Sequence, residues 1–223
     1  MVNKIKQSIL CIDIGNTNTK FGYFIQGKLR KIKKFTNNAI KNFKELKEKA
    51  SIAIISSVNR EIEKKVISLL RAGKIYVIGK DIKIDNLPLK IKYDSYSGLG
   101  ADRICFAFYS FTRFIKNILN ISLGTAIFID HINNKSEFAG GIIIPGLNLQ
   151  YQALRQCHRL KNIRFKNIED KILGNNTEEC ISIGVSLSII NLIKFYEKAT
   201  KSKHIVMSGG DYRTIKDLLG KGT

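Results

Sequence analysis

Apolar positions in this 223-residue chain come in short runs separated by polar turns. Ile9 to Ile12 is an apolar, β-branched run of buried-strand type, closed by Asp13. Gly15-Asn16-Thr17-Asn18-Thr19 follows, a loop of turn formers and hydroxyls, and Lys20 to Phe24 returns as a second strand. A third extended segment, Lys28 to Phe35, completes a meander. The pattern then predicts a charged helix near Ile40 to Lys49, a buried strand Ile52 to Ser56, a helix from about Arg60 to Leu70 and a strand Lys74 to Ile78. A loop holding Pro88 leads to Ile91-Lys92-Tyr93, to Gly98-Leu99-Gly100-Ala101-Asp102-Arg103, and into an apolar helix, Ile104 to Ile115.

The second half repeats the opening plan. Ile118 to Leu123 reads as a strand, Gly124-Thr125 as a polar turn, Ala126 to Asp130 as a returning strand, and Glu137 to Ile144 as a third. Pro145-Gly146 opens a helix to about Gln156, Thr177 caps a long helix to about Lys198, and Ile205 to Met207 is a last buried strand ending in Ser208-Gly209-Gly210-Asp211. Strand meanders followed by helix and strand pairs predict an α/β fold with mixed sheets flanked by helices. The repeated plan predicts two such domains, residues 1–115 and 116–223, with a cleft between them.

Charge changes the picture less than its size suggests. There are 38 Lys and Arg against 18 Asp and Glu, formally +20, which favours anionic substrates and speeds their arrival. The lysines are scattered, and no zinc finger, aromatic ribonucleoprotein motif or helix-turn-helix accompanies them, so nucleic acid is not the expected partner. Uninterrupted apolar runs are far shorter than the ~20 residues that span a bilayer, and no signal-peptide core is present; a cytoplasmic protein without a membrane partner is expected. Cys11, Cys105, Cys157 and Cys180 form no CxxC pair, which argues against zinc and against a disulfide framework.

The candidate chemistry lies in the turns. Gly15 to Thr19, Gly124-Thr125 and Gly209-Gly210 each follow a strand, and such turns let phosphates approach the backbone closely. Asp13 at the mouth of the first could hold a hydrated Mg²⁺. There is no GxxxxGK[ST] loop, and Gly98 and Gly100 lack the third glycine and the preceding strand of a dinucleotide fingerprint. Asp102 has the chemistry of a general base accepting a hydroxyl proton during phosphoryl transfer, and Arg103 could bind a carboxylate or the developing phosphate charge; Asp102 could equally cap a helix beginning near Ile104.

DIGNTNTKFG at Asp13 to Gly22, GADR at Gly100 to Arg103, GTA at Gly124 to Ala126, GGIIIPG at Gly140 to Gly146, NNT at Asn175 to Thr177 and SGGD at Ser208 to Asp211 resemble type III pantothenate kinase in order and spacing. The resemblance implies two ribonuclease-H-like domains of the acetate and sugar kinase, Hsp70 and actin superfamily. It also implies ATP-dependent phosphorylation of pantothenate to 4'-phosphopantothenate at the start of coenzyme A synthesis, with Mg²⁺ and ATP. Carried onto this chain, it places ATP phosphates on Asp13, Ile14, Gly15, Asn16, Thr17, Asn18, Thr19 and Lys20, with Thr125 also touching the nucleotide. Pantothenate falls to Tyr93, Gly100, Ala101, Asp102, Arg103 and Thr177, and Asp102 becomes the catalytic base. A homodimer is implied whose pantothenate pocket is shared between subunits, near Cys157 and His158.

The chain departs from the family at several places, among them the loosely matching segment Ala153 to Leu160. Ser122 stands where the family usually carries the aspartate that coordinates K⁺ or NH₄⁺, so weak monovalent-cation dependence is expected; Tyr96 replaces a usual proline. The alternative function is a nucleic-acid-binding transcriptional accessory protein, a label this family once carried and one that suits the basic charge.

Overall fold

The computed structural model describes residues 8–43, 49–95, 98–166 and 171–219. The chain divides into two compact units, residues 1–88 with 93–108 and residues 89–92 with 109–223. Residues 44–48 of the helix expected at Ile40 to Lys49, and Tyr96, lie outside the described residues; the helix that forms, Asn37–Lys41, starts earlier and stops at Lys41, and Lys49 already lies in a strand.

In the first unit, β1 (Ser8–Ile14), β2 (Asn18–Ile25) and β3 (Lys28–Thr36) form an antiparallel meander, and β4 (Lys49–Ser57) and β5 (Arg71–Val77) add parallel to β1. The sheet order is β3-β2-β1-β4-β5. Strand alternation explains both of its faces. Leu10, Ile12 and Ile14 of β1, Ala53 and Ile55 of β4 and Val77 of β5 point one way and are buried under Ile40 of α1 (Asn37–Lys41) and Ile62, Val66 and Leu69 of α2 (Arg60–Leu69). Each such side chain contributes about 1.5–3 kcal/mol on full burial. Ile9, Cys11 and Asp13, in register with Ile52, Ile54 and Ser56, occupy the other face. Asn59 caps α2 by accepting from Ile62 N at 3.1 Å, and Leu70 is already extended, so β5 begins at Arg71 and not at Lys74.

In the second unit, β7 (Ile118–Leu123), β8 (Ala126–Ile132) and β9 (Glu137–Pro145) form the same antiparallel meander, with β10 (His204–Ser208) parallel to β7. The short β6 (Lys90–Ile91) joins β9 in parallel, held by Glu137, whose buried carboxylate meets Lys92 Nζ at 3.0 Å and Lys90 Nζ at 3.4 Å. The run β9-β8-β7-β10 therefore repeats β3-β2-β1-β4, which is the duplication the sequence pattern predicts.

α4 (Leu147–Leu154) and α5 (Thr177–Thr200) cover the second sheet, and Leu147, Tyr151, Val185, Ile189 and Ile193 join Leu119, Ile121, Ile127 and Ile129 in its core. α5 is long and apolar enough to cross a membrane by length and composition, yet it buries Ser182, Val185, Ser186, Ile189 and Ile193 at core-helix spacing. α3 (Ala101–Phe114) starts three residues earlier than expected, which puts Asp102 inside its first turn. A helix the sequence reading omits, α6 (Tyr212–Leu219), buries Ile215.

Candidate functional site

The first glycine turn is braced from below by a residue the motif does not contain. Asn37 is buried; its Nδ2 donates to Gly15 O and to Asn16 O, both at 2.9 Å, its Oδ1 accepts from Thr19 Oγ1 at 2.9 Å, and its backbone N–H donates to Thr17 O at 2.9 Å. Two carbonyl acceptors on one side and a hydroxyl donor on the other fix the orientation of the amide. Gly15 N–H donates to Asn18 O at 3.0 Å and closes the turn. With the Gly15, Asn16 and Thr17 carbonyls turned inward, Asn16 and Thr17 form the exposed outer edge of the turn. The Thr19 hydroxyl, expected among the phosphate contacts, is fully buried on Asn37 and serves the turn instead. Ile14 is likewise a core residue, present at the turn through its backbone.

Asp13 and Lys20 are directly opposed across β1 and β2, with Lys20 Nζ 3.5 Å from Asp13 Oδ2 and both side chains about half exposed. That separation is long for a charge-assisted bond, so the carboxylate has capacity for a hydrated cation. A carboxylate in that position, at the mouth of the glycine turn, has the chemistry to hold a hydrated Mg²⁺.

Asp102 shares the first unit with Asp13. Its Oδ1 accepts the Arg103 N–H at 2.8 Å, while burial, assisted by the negative charge of Asp13, raises its pKa. Gly100 makes room for it, because a Cβ there would stand 2.5 Å from Asp102 Oδ1 and 3.4 Å from Val58 Cγ1. Beneath lies a dry layer that the motif does not announce. Burial pushes the Cys105 thiol up to about 11, and the thiol adjoins Ser56, whose buried hydroxyl has no hydrogen-bond partner of good geometry among the described residues. Arg103 is buried, with Nη1 3.4 Å from Tyr93 Oη and its guanidinium 5.6 Å from the centre of the Tyr93 ring. A cavity of about 330 Å³ is lined by Ser57, Val58, Arg60, Lys80, Gly100 and Ala101, the last two directly preceding Asp102.

In the second unit, three separate motifs meet. Leu123 O accepts from Asp211 N at 3.0 Å, and Thr125 O accepts from Gly146 N at 2.9 Å. Gly209 has φ +115° and presses its α-carbon side against the Leu123 backbone, where a Cβ has no room. The GTA turn, the PG step and the SGGD turn thus lie together around the exposed Thr125. Ser122 is flanked in register by Phe128 and Ser208, both uncharged, so these neighbours do not fit a monovalent cation that needs an anionic anchor. Asn176 caps α5 in place of the expected Thr177, accepting from Glu179 N at 3.0 Å, and Thr177 is the exposed first residue of the helix. Cys157 and His158 are exposed in the turn after α4. Among the described residues, no group of three or more His, Cys, Asp or Glu could hold a metal ion.

Comparison with known proteins extends these local features to the whole chain. A family model described as type III pantothenate kinase matches residues 9–198. A Mycoplasma mobile protein named type III pantothenate kinase is 34% identical over 94% of this chain and 90% of its own length. One of the same name from Persephonella marina is 31% identical over 93% and 89%. Among solved structures, a Campylobacter jejuni protein titled for a conjectured role as a Baf family transcriptional activator has TM-score 0.63 at 25% identity, covering 95% of this chain and 88% of that one. The ethanolamine utilization protein EutJ from Carboxydothermus hydrogenoformans, with TM-score 0.51 at 14% identity over 99% and 87%, shares the fold.

Proposed function

The chain belongs to the type III pantothenate kinase family, and from that premise we propose that it transfers the γ-phosphoryl group of ATP to the primary hydroxyl of pantothenate, giving ADP and 4'-phosphopantothenate, the first step of coenzyme A synthesis. The observation that carries the reading is the pairing, within one unit, of an Asn37-braced phosphate turn with a partly dry carboxylate at Asp102.

The chain's own groups divide the work. Asp102 takes the hydroxyl proton as the substrate oxygen bonds to the γ-phosphorus and the bridging bond to ADP breaks, its electron pair leaving on the ADP oxygen. Burial makes this carboxylate more basic than an exposed one, and Gly100 gives it the space to meet a substrate. Asn16, Thr17 and Lys20 face the phosphates; Mg²⁺, held through water by Asp13, would neutralise phosphate charge when bound. Tyr93 and Arg103 offer a hydroxyl and a fixed guanidinium to pantothenate and its carboxylate, and the cavity lined by Gly100 and Ala101 suits a molecule of that size.

The family resemblance assigns Thr125 to the nucleotide and Thr177 to pantothenate. Exposed Ile172 and Leu173, just before α5, supply an apolar patch for a second copy of the chain, consistent with a homodimer whose pocket is shared. Ser122, with uncharged Phe128 and Ser208 as its register partners, supports turnover that depends only weakly on potassium. The test is release of ADP that requires both substrates; a protein that instead binds random duplex in a salt-sensitive way and turns over neither substrate would be the transcriptional accessory factor.

A further inference from the structure

We propose that Lys34 is a second phosphate-side cation of the nucleotide site, acting beside Lys20 on the β- and γ-phosphates. The inference rests on the ATP reading above and adds a residue outside the glycine turn.

Three charged residues stand in one row across the first sheet: Asp13 of β1 opposes Lys20 of β2, and Lys20 opposes Lys34 of β3. Directly opposed residues share a face, so Lys34 lies on the side that carries Asp13 and Lys20. The neighbouring residue shows the same alternation, since Phe35 packs into the core on the opposite face. Opposed side chains begin about 5 Å apart, and like charges in that position repel. Asp13 can neutralise only one of the two lysines, and its 3.5 Å contact is with Lys20. Lys34 is exposed and has no hydrogen-bond or ion-pair partner among the described residues. β3 contains no acidic residue that could supply one.

Lysines on edge strands commonly serve only to discourage aggregation, and β3 is an edge with five basic residues in nine. That general purpose does not require a lysine opposite Lys20, where repulsion is greatest. The row ends beside the turn whose outer edge is offered to phosphate, and a triphosphate is the ligand that converts this repulsion into attraction on binding. When the Asp13 carboxylate turns toward the hydrated metal, the two lysines are left facing the same anion.

The same strand carries its own control. Lys31 is exposed too but opposes Tyr23 and projects from the core-side face of β3. Titration calorimetry of the wild type, Lys34→Ala, Lys34→Glu and Lys31→Ala with MgATP and with AMP measures binding without turnover. Lys34→Ala weakens MgATP roughly three- to tenfold, within the range of a partly exposed charge-assisted contact, and Lys34→Glu weakens it further. AMP binding and the Lys31→Ala protein stay at wild-type affinity, and in steady state Lys34→Ala raises KM for MgATP while kcat holds. Unchanged MgATP affinity in both Lys34 variants overturns the inference, as does an equal loss in Lys31→Ala, which would mark bulk charge. If MgATP binding depends on Lys34 but no ADP is released with pantothenate, the inference stands and the substrate reading falls.

Discussion

At the scale of single residues, Asp102 makes the sharpest demand. Asp102→Asn keeps the oxygen that accepts the Arg103 N–H and removes only the basic charge, so kcat should fall roughly 10²- to 10⁴-fold. Stability should move the other way. Burial raises the folded-state pKa above the unfolded one, so the contribution of Asp102 to stability is fully present below the unfolded pKa and is lost as pH rises through the folded pKa. At pH 7 the ionised group is a burden, and Asp102→Asn should melt at or above the wild-type temperature, with the difference shrinking in acid. A variant that melts well below the wild type at pH 7 would show that the carboxylate is structural. The acid limb of kcat/KM should likewise lie above the ordinary aspartate value. Asp13, Asp102 and Arg103 were legible because the motif spells them out. Ser56, Cys105 and Asn37 were not, since each reaches the site through sheet register or a loop contact that leaves no local signature; the nearest clue is a polar Asn37 within a stretch that must cover a core.

At the scale of elements, the turn between β1 and β2 depends on Asn37. Asn37→Ala leaves two inward carbonyls and the Thr19 hydroxyl unpaired, which should cost about 1–3 kcal/mol in denaturant melts. It should also raise KM for MgATP while KM for pantothenate stays near wild type. Loss of stability with an unchanged KM for MgATP would mean that the turn keeps its shape without the brace. The tie between β6 and β9 combines strand pairing with the ion pairs of Glu137 to Lys90 and Lys92. Hydrogen bonds from Asn133 and Lys92 lower the Glu137 pKa to about 2. Its contribution is therefore present above the ordinary glutamate value of 4.5 and lost as pH falls toward about 2. Glu137→Gln should flatten the loss of stability across that window, read by urea melts at several pH values; an unaltered profile would remove Glu137 from the acid response. The strands and long helices followed from apolar periodicity, whereas the early start of α3 did not, because Gly100 and Ala101 carry no periodic signal.

At the scale of the whole molecule, the duplicated meander was readable because both halves repeat strand, polar turn and strand with glycine at the turn. The convergence of the GTA, PG and SGGD segments was not, since it depends on a parallel strand, β10, returning from far along the chain to lie beside β7. Shared-pocket assembly predicts that dilution below the dimer dissociation constant lowers activity per chain; full activity from a demonstrated monomer would refute it. A serine at 122, with uncharged Phe128 and Ser208 as register partners, predicts turnover in sodium buffer within a few fold of that in potassium, and Ser122→Asp should create potassium stimulation. The most direct test of the central claim is ADP release by purified protein with ATP, Mg²⁺ and pantothenate, with the pantothenate product identified by mass spectrometry. ADP and 4'-phosphopantothenate should form one for one, with both substrates required and the reaction lost in Asp102→Asn. ADP release indifferent to pantothenate, or full turnover by Asp102→Asn, would contradict that claim.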